Sequence, residues 1–288
     1  MLRRSNLVRS APPARRRTQP ILDMVEPQAP PWIVRDTVEP QTLAPDARNT
    51  AISWTGGKDC NLALLDAWRN PQLHVTSLVV FRPPHAVFRA HPLTLAEAQA
   101  ESLGLPLLHV LIPNDAPDFK AAYVAGMRNL LLEHGIEVIA TGDMDLVGSM
   151  QRNWIQECGE EAGIDAYLPL WQAERGACLR RLLAENFVVV FSCVKSPWFS
   201  ASWIGRRLDA STLEIMEAMA AAAPTDGAKP LDLGGERGEY HTMVLDGPLY
   251  ARPVHVEGGA PAELEGQPGQ KAGERWWTLK LGRRLADP

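Results

Sequence analysis

From residue 50 to residue 194 the chain alternates short apolar runs with helix-length stretches. Such alternation is the signature of βαβ units and a mostly parallel sheet. Strands are predicted over 50–54, 74–81, 107–112, 137–141 and 187–194, each about the length of a buried strand. Helices are predicted between and after them, over 61–68, 93–102, 119–133, 151–161 and 176–185, on apolar periodicity and good helix formers. Five strands with helices on both faces make a doubly wound parallel α/β sheet the economical solution. Its ligands are expected at the carboxyl ends of the strands.

Past residue 196 the texture changes. A helix is predicted over 211–222, then a Pro/Gly-rich break, then strands over 240–245 and 276–281, which together read as a second, smaller α/β domain. Residues 258–273, rich in Gly, Pro and Glu, are expected to form a flexible surface loop or a hairpin insertion. At the other end, prolines at 12, 13, 20, 27, 30, 31, 40 and 45 interrupt any sustained helix. Residues 1–48 are therefore expected to be a disordered extension. Its arginines, unaccompanied by acids over the first twenty residues, also fit a transit peptide, which composition favours less. The resulting domain plan is 1–48 extension, 49–195 ligand-binding domain and 196–288 smaller C-terminal substrate domain.

The bulk properties narrow the function classes. A net charge of -5 gives no chain-wide basic footprint for nucleic acid or anionic membrane. No window reaches the ~20 apolar residues of a spanning helix. Cys60, Cys158, Cys178 and Cys193 form no CxxC pair, which argues against a zinc ribbon, a redox dithiol or a disulfide framework. A cytoplasmic, soluble protein is the expectation.

The most informative stretch is AISWTGGKDC over residues 51–60, a first strand running directly into two glycines, a lysine and a helix. Gly56 and Gly57 permit a tight turn and close backbone approach to an anion, so that main-chain N–H groups and the helix start meet a phosphate. Lys58 adds a full positive charge. Thr55 adds a hydroxyl, and Asp59 can order the loop, cap the helix or hold magnesium. The spacing is neither GxxxxGK[ST] nor GxGxxG. An ordinary strand–helix turn is the bland alternative.

This segment resembles the SGGKDS signature of the PP-loop ATP pyrophosphatases, adenine nucleotide alpha hydrolase-like proteins of the HUP type. Further motifs narrow the likeness: AQAESLGLP at 98–106, TGD at 141–143, PLW at 169–171, WIGRRLD at 203–209 and GERGEYHT at 235–242. Together with SWTGGKD at 53–59 they make the chain similar to the diphthine ammonia ligase family, also described as ATP-binding domain 4 proteins. Thr55 and Cys60 replace the two serines of the signature, and Arg237 stands where the family has glycine. Cys60 is a weaker donor than serine, and a buried core thiol is the favoured reading for it.

The resemblance implies an ATP-dependent ligase, AMP-forming, with Mg2+. An acceptor carboxylate would attack the α-phosphorus, pyrophosphate would leave into the loop, and ammonia would displace AMP. The implied acceptor is diphthine on translation elongation factor 2, or another small carboxylate in a bacterial setting. Nucleotide is expected on Ser53, Thr55, Gly56, Gly57, Lys58, Asp59, Cys60, His91, Gly142 and Arg152. Lys58, Asp59, Asp143 and Glu239 are expected to be catalytic, and Asp59 to carry the metal. Glu236, Glu239, Tyr240 and His241 are expected to meet the acceptor. If 239–241 is strand, Glu239 and His241 share one face and leave Tyr240 on the other. Trp171 and Trp203 are assigned to packing. Two rivals stand: adenylation of tRNA for base modification, disfavoured by the isolated cysteines, and a nucleotide-binding module without turnover.

Overall fold

The structure is a computed structural model, and it describes residues 38–85, 88, 90–146, 148, 150–222, 229–256, 259–265, 270 and 273–281. Nine strands and six α-helices alternate along these residues: β1 (Arg48–Ser53), α1 (Lys58–Arg69), β2 (Leu73–Arg82), α2 (Leu93–Leu103), β3 (Leu107–Leu111), α3 (Phe119–His134), β4 (Val138–Ala140), α4 (Trp154–Ala162), β5 (Asp165–Tyr167), α5 (Arg175–Ala184), β6 (Val188–Lys195), α6 (Ala210–Ala221), β7 (Tyr240–Asp246), β8 (Gly259–Leu264) and β9 (Trp276–Leu281). A 3-10 turn, Ala201–Trp203, precedes α6.

The first sheet has the order β3-β2-β1-β4-β5, and every neighbouring pair in it is parallel. Its central strands are buried on both sides, and alternate residues feed two different cores. Ala51, Val79 and Ile139 pack with Val124, Met127, Ile155 and Cys158 beneath α3 and α4. Ile52, Leu78, Val80, Val138 and Ala140 face the other way, into the cluster that holds α1 and α2.

That second cluster continues without a break into a further sheet, of order β7-β6-β9-β8, in which all pairs are antiparallel. Helix α1 packs on β1, β2 and β7, so it lies between the sheets. Lys58, Cys60, Asn61, Leu62, Ala63, Leu64, Leu65 and Ala67 are all buried along it, as expected of a helix covered on more than one face.

The parallel sheet departs from expectation in one strand. The run 187–194, read as the fifth parallel strand, is β6, the strand between β7 and β9 in the antiparallel sheet. A continuous apolar run records burial on both faces, not the direction of the neighbours. The fifth parallel strand is instead the three-residue Asp165–Tyr167, too short to show a period. The change of sheet accordingly falls between β5 and β6.

In the segment 258–273 the hairpin alternative is the one found: Gly259–Leu264 is an edge strand paired with β9. Residues 1–37, where most of the expected disordered extension falls, lie outside the described residues. Residues 39–44 are tied down rather than free, because the Trp68 indole donates to Glu39 O at 2.7 Å and Ala44 N to Pro71 O at 2.8 Å. Among the described residues no helix is long and apolar enough to cross a membrane.

Candidate functional site

β1 and β4 are neighbours in the first sheet, and the chain leaving each carboxyl end turns into the same space. A cavity of about 180 Å3 opens there, lined by Ser53, Thr55, Asp59 and Cys60 after β1, by Thr141, Gly142 and Asp143 after β4, and by Glu236 from the turn that enters β7. Two segments from the parallel sheet and one from the antiparallel sheet therefore meet over residues 53–60. This is where an open α/β sheet places its ligands.

Gly142 explains how the β1 and β4 ends come so close. A Cβ on it would stand 2.4 Å from the Asp59 carbonyl carbon and 2.6 Å from Cys60 N, backbone atoms at the start of α1. Only glycine fits that approach. Asp143 follows at the cavity wall, and Asn153 fixes it: Asn153 Nδ2 donates to Asp143 Oδ2 at 2.6 Å, while Asn153 Oδ1 caps α4 by accepting from Gln156 N at 3.0 Å.

Within the loop itself the side chains divide. Thr55, Asp59 and Cys60 face the cavity, whereas Gly56, Gly57 and Lys58 are buried against the antiparallel sheet. Gly56 has φ +82°, the left-handed region, and its carbonyl accepts from Val244 N at 3.1 Å and from Gln99 Nε2 at 3.0 Å. A Cβ on Gly57 would lie 3.2 Å from Thr242 O and 3.3 Å from His91 Nε2. Lys58 N donates to Thr242 Oγ1 at 3.1 Å. Its ammonium donates to Asp59 Oδ2 at 2.8 Å and to Gly234 O at 2.5 Å, and sits 5.1 Å from the centre of the Tyr240 ring. Burial opposes charge on Lys58, but Asp59, Tyr240 and Glu236 outweigh it and hold the ammonium above the ordinary lysine range. The expected free lysine facing an anion is thus found already engaged, one atom back from the cavity through Asp59.

Cys60 is both core and wall. It is 4% exposed, donates to Gly57 O at 3.2 Å and accepts from Thr55 Oγ1 at 3.6 Å, and burial pushes its thiol up. All four cysteines are buried and free. Across the cavity, Glu236 reaches solvent, yet desolvation at the cavity wall and the negative charge of Asp59 push its carboxyl up to about 7. Three carboxylates, Asp59, Asp143 and Glu236, line the space. Among the described residues no group of three or more metal-binding side chains is arranged to hold an ion by itself.

Several expected site residues do not reach the cavity. Glu239 is fully buried, and its carboxylate accepts from Arg237 N at 2.9 Å and Asp232 N at 3.2 Å. It shapes the turn that carries Glu236. The alternation expected of 239–241 fails because Glu239 precedes the strand, which begins at Tyr240. Tyr240 is buried under Lys58, with its hydroxyl donating to Leu233 O at 2.5 Å, and His241 is exposed. His91 donates from Nε2 to Thr242 O at 2.8 Å and stands edge-on to His241 at 5.5 Å. Burial, then the charges of His241 and Lys58, lower its pKa to about 3, so it is a neutral strut. Arg152 is not among the cavity's lining residues and pairs with Glu160 at 2.5 Å on the surface. Trp203 packs with Phe191 and Phe199 as expected. Gln99, Asn153 and Thr242, to which the sequence assigned no role, hold the loop or the cavity wall. Gln99 and Thr242 did stand inside quoted motifs, and Asn153 stands directly before a helix.

Residues 48–166 match the family model described as the diphthamide synthase N-terminal domain, and residues 176–283 match the diphthamide synthase C-terminal domain. No curated protein matches the chain. Among solved structures, a predicted subunit of tRNA methyltransferase from Methanocaldococcus jannaschii is similar at 16% identity, covering 68% of this chain and 96% of that one with a TM-score of 0.36.

Proposed function

The chain belongs to the diphthamide synthase family, whose N-terminal and C-terminal domains it matches in order across most of its length, and on that premise we propose that it is an ATP-dependent ligase that adenylates an acceptor carboxylate. One observation carries the reading: Thr55, Asp59 and Cys60, Thr141 to Asp143, and Glu236 converge on a single cavity at the carboxyl ends of β1 and β4. A volume of about 180 Å3 is smaller than the ~300–1,000 Å3 of a site that encloses a whole drug-sized ligand. It suits the phosphate end of the nucleotide, with adenosine lying outside.

The donors fit that end. Ser53, Thr55 and Thr141 supply hydroxyls, and although the Lys58 amide is taken by Thr242 Oγ1, Asp59 and Cys60 of the first turn of α1 line the cavity, where their amides can meet an anion. Three carboxylates around a phosphate require a cation between them, and Mg2+ is characteristically held by one or two carboxylates plus phosphate oxygens. Asp59 and Asp143 are the residues to hold it, and it would neutralise the leaving group's charge.

In this reading a carboxylate oxygen of the acceptor attacks the α-phosphorus and pyrophosphate departs. Ammonia nitrogen then attacks the acyl carbon, AMP leaves, and the amide forms with loss of a proton to solvent. Lys58, linked to the cavity through Asp59, stabilises charge on the departing pyrophosphate. Glu236, arriving from the antiparallel sheet, faces the acceptor. The acceptor class is a diphthine-like carboxylate on a protein such as elongation factor 2, or a small carboxylate.

Purified protein incubated with ATP, Mg2+ and ammonium should release AMP and pyrophosphate in equal amounts once an acceptor is supplied, and Lys58→Ala should abolish this. Mass spectrometry of candidate acceptors identifies the product. ADP and phosphate, or no release with any acceptor, would refute it. The engaged state of Lys58 favours one rival, a nucleotide-binding module without turnover; it would bind ATP and release nothing.

A further inference from the structure

Gln99 lies on the buried face of α2 and is fully buried. Its carboxamide turns both of its donors and one acceptor site toward the loop after β1 and its surroundings. Oε1 accepts from the Trp54 indole Nε1 at 3.0 Å, and Nε2 donates to Gly56 O at 3.0 Å and to Val244 O at 2.7 Å. One side chain thus joins the residue before the loop, a peptide inside it and a strand of the other sheet. It also touches the loop sterically, since a Cβ on Gly56 would come within 2.6 Å of Gln99 Oε1.

We propose that Gln99 is a positioning residue for the phosphate loop, holding the Gly56–Gly57 peptide so that its carbonyl is turned into the protein and away from the bound anion. This rests on the nucleotide reading above. A peptide between two glycines has little steric preference and can turn over at small cost. Turned over, its carbonyl dipole would oppose a phosphate where its N–H would attract one. Because the peptide is trans and planar, fixing the Gly56 oxygen on one side fixes the Gly57 N–H on the other. Two donors hold that oxygen, Gln99 Nε2 and Val244 N, and Gln99 also holds the Val244 carbonyl. Trp54 keeps the carboxamide from rotating, since Oε1 in place of Nε2 would face two carbonyls.

No other side chain of that length has two donors and an acceptor in this arrangement. Gln99→Glu loses both donors and Gln99→Met loses all three bonds at similar volume. A lock of this kind sets the fraction of molecules competent to bind. Its loss weakens apparent affinity by that fraction while leaving the bound complex intact.

The test measures binding of α,β-methylene-ATP with Mg2+ by calorimetry, and KM and kcat for ATP where turnover is seen. Gln99→Met and Gln99→Glu should weaken binding and raise KM about tenfold, with kcat within about twofold. Ser102→Ala is the control: it removes another bond made by α2, Ser102 Oγ to Arg252 O in the connection that follows β7, without touching the loop. It should lower thermal stability but leave affinity unchanged.

Wild-type affinity in both Gln99 variants, or an equal loss of affinity in Ser102→Ala, would overturn the proposal. Should the Gln99 variants not fold, Trp54→Phe decides: weaker binding at near-normal stability supports the lock, and unchanged binding refutes it. Wild-type protein that binds no nucleotide would instead remove the functional reading itself.

Discussion

Residues 55–60 form one short loop with two different sides, and the contrast between them is the main lesson of the structure. The cavity side, Thr55, Asp59 and Cys60, is available to a ligand. On the packed side, the Gly56 carbonyl and the Lys58 amide and ammonium are engaged by α2, β7 and the turn that enters β7. Glycines that a motif assigns to anion approach are here also the condition for close approach of protein to protein. The sheets must dock for the loop to exist in this shape, so binding and folding share the same residues on one side and are separable on the other.

The sharpest way to break that division is to compare charge changes across it. On the packed side, Lys58→Met leaves Asp59 and the Gly234 carbonyl without their buried partner. Turnover should fall on the order of 100- to 1,000-fold, and unfolding free energy by about 3 kcal/mol, the low end for a broken buried pair because Asp59 is partly exposed. On the cavity side, Asp143→Asn should cost turnover of similar order while changing stability by less than about 1 kcal/mol. Chemical denaturation alongside AMP release measures both. Equal stability losses in the two variants would erase the distinction.

Gly142 tests the geometry beneath both sides. Gly142→Ala places a methyl against backbone atoms of α1 that have no rotamer in which to escape. A destabilisation of about 1–3 kcal/mol is expected, with activity falling as the α1 start is displaced. Full stability in a melt would mean that the β4 end stands farther from α1 than described.

The pH dependence of His91 sharpens the packed side further. Its folded pKa, about 3, lies below the ordinary value of 6.5, so the unfolded chain takes up the proton first. Stability is therefore complete above pH 6.5 and is lost as pH falls from there toward 3, by at most about 1.4 kcal/mol per pH unit. His91→Gln keeps a donor for Thr242 O and removes the titration. Its stability should be flatter than wild type between pH 6.5 and 4 in urea titrations, and an unchanged slope would place the acid sensitivity elsewhere.

How much of this was legible follows from the kind of information each residue carries. Four of the five parallel strands and the loop after the first could be read because period and turn chemistry are local. The identity of β6 could not, because VVVFSCV reports only that both faces are covered. The cavity residues Asp59, Asp143 and Glu236 were found from their positions at strand ends and in motifs. What sequence missed was the division of labour inside each motif. Glu236 and Glu239 are separated by two residues, yet one lines the cavity while the other binds backbone amides. Gln99 sits mid-helix, where nothing local distinguishes a polar strut from a surface glutamine.

Arg152 provides the smallest effect and a clean check. By resemblance it was expected to bind nucleotide, but its guanidinium pairs with Glu160 at 2.5 Å with both side chains about half exposed. An exposed pair of this kind contributes roughly 0–1 kcal/mol. Arg152→Ala should therefore change stability by less than about 0.5 kcal/mol, and leave KM for ATP within about twofold, a bound well under the tenfold that 1.4 kcal/mol represents. Arg152 lies only nine residues beyond Asp143, in the segment that leaves the cavity wall and enters α4. A large rise in KM would mean that this segment swings toward the cavity when nucleotide binds, exchanging Glu160 for phosphate. The cavity side of the loop would then be one wall of a site that closes, and the contrast between a ligand-ready side and a packed side would describe only the open state.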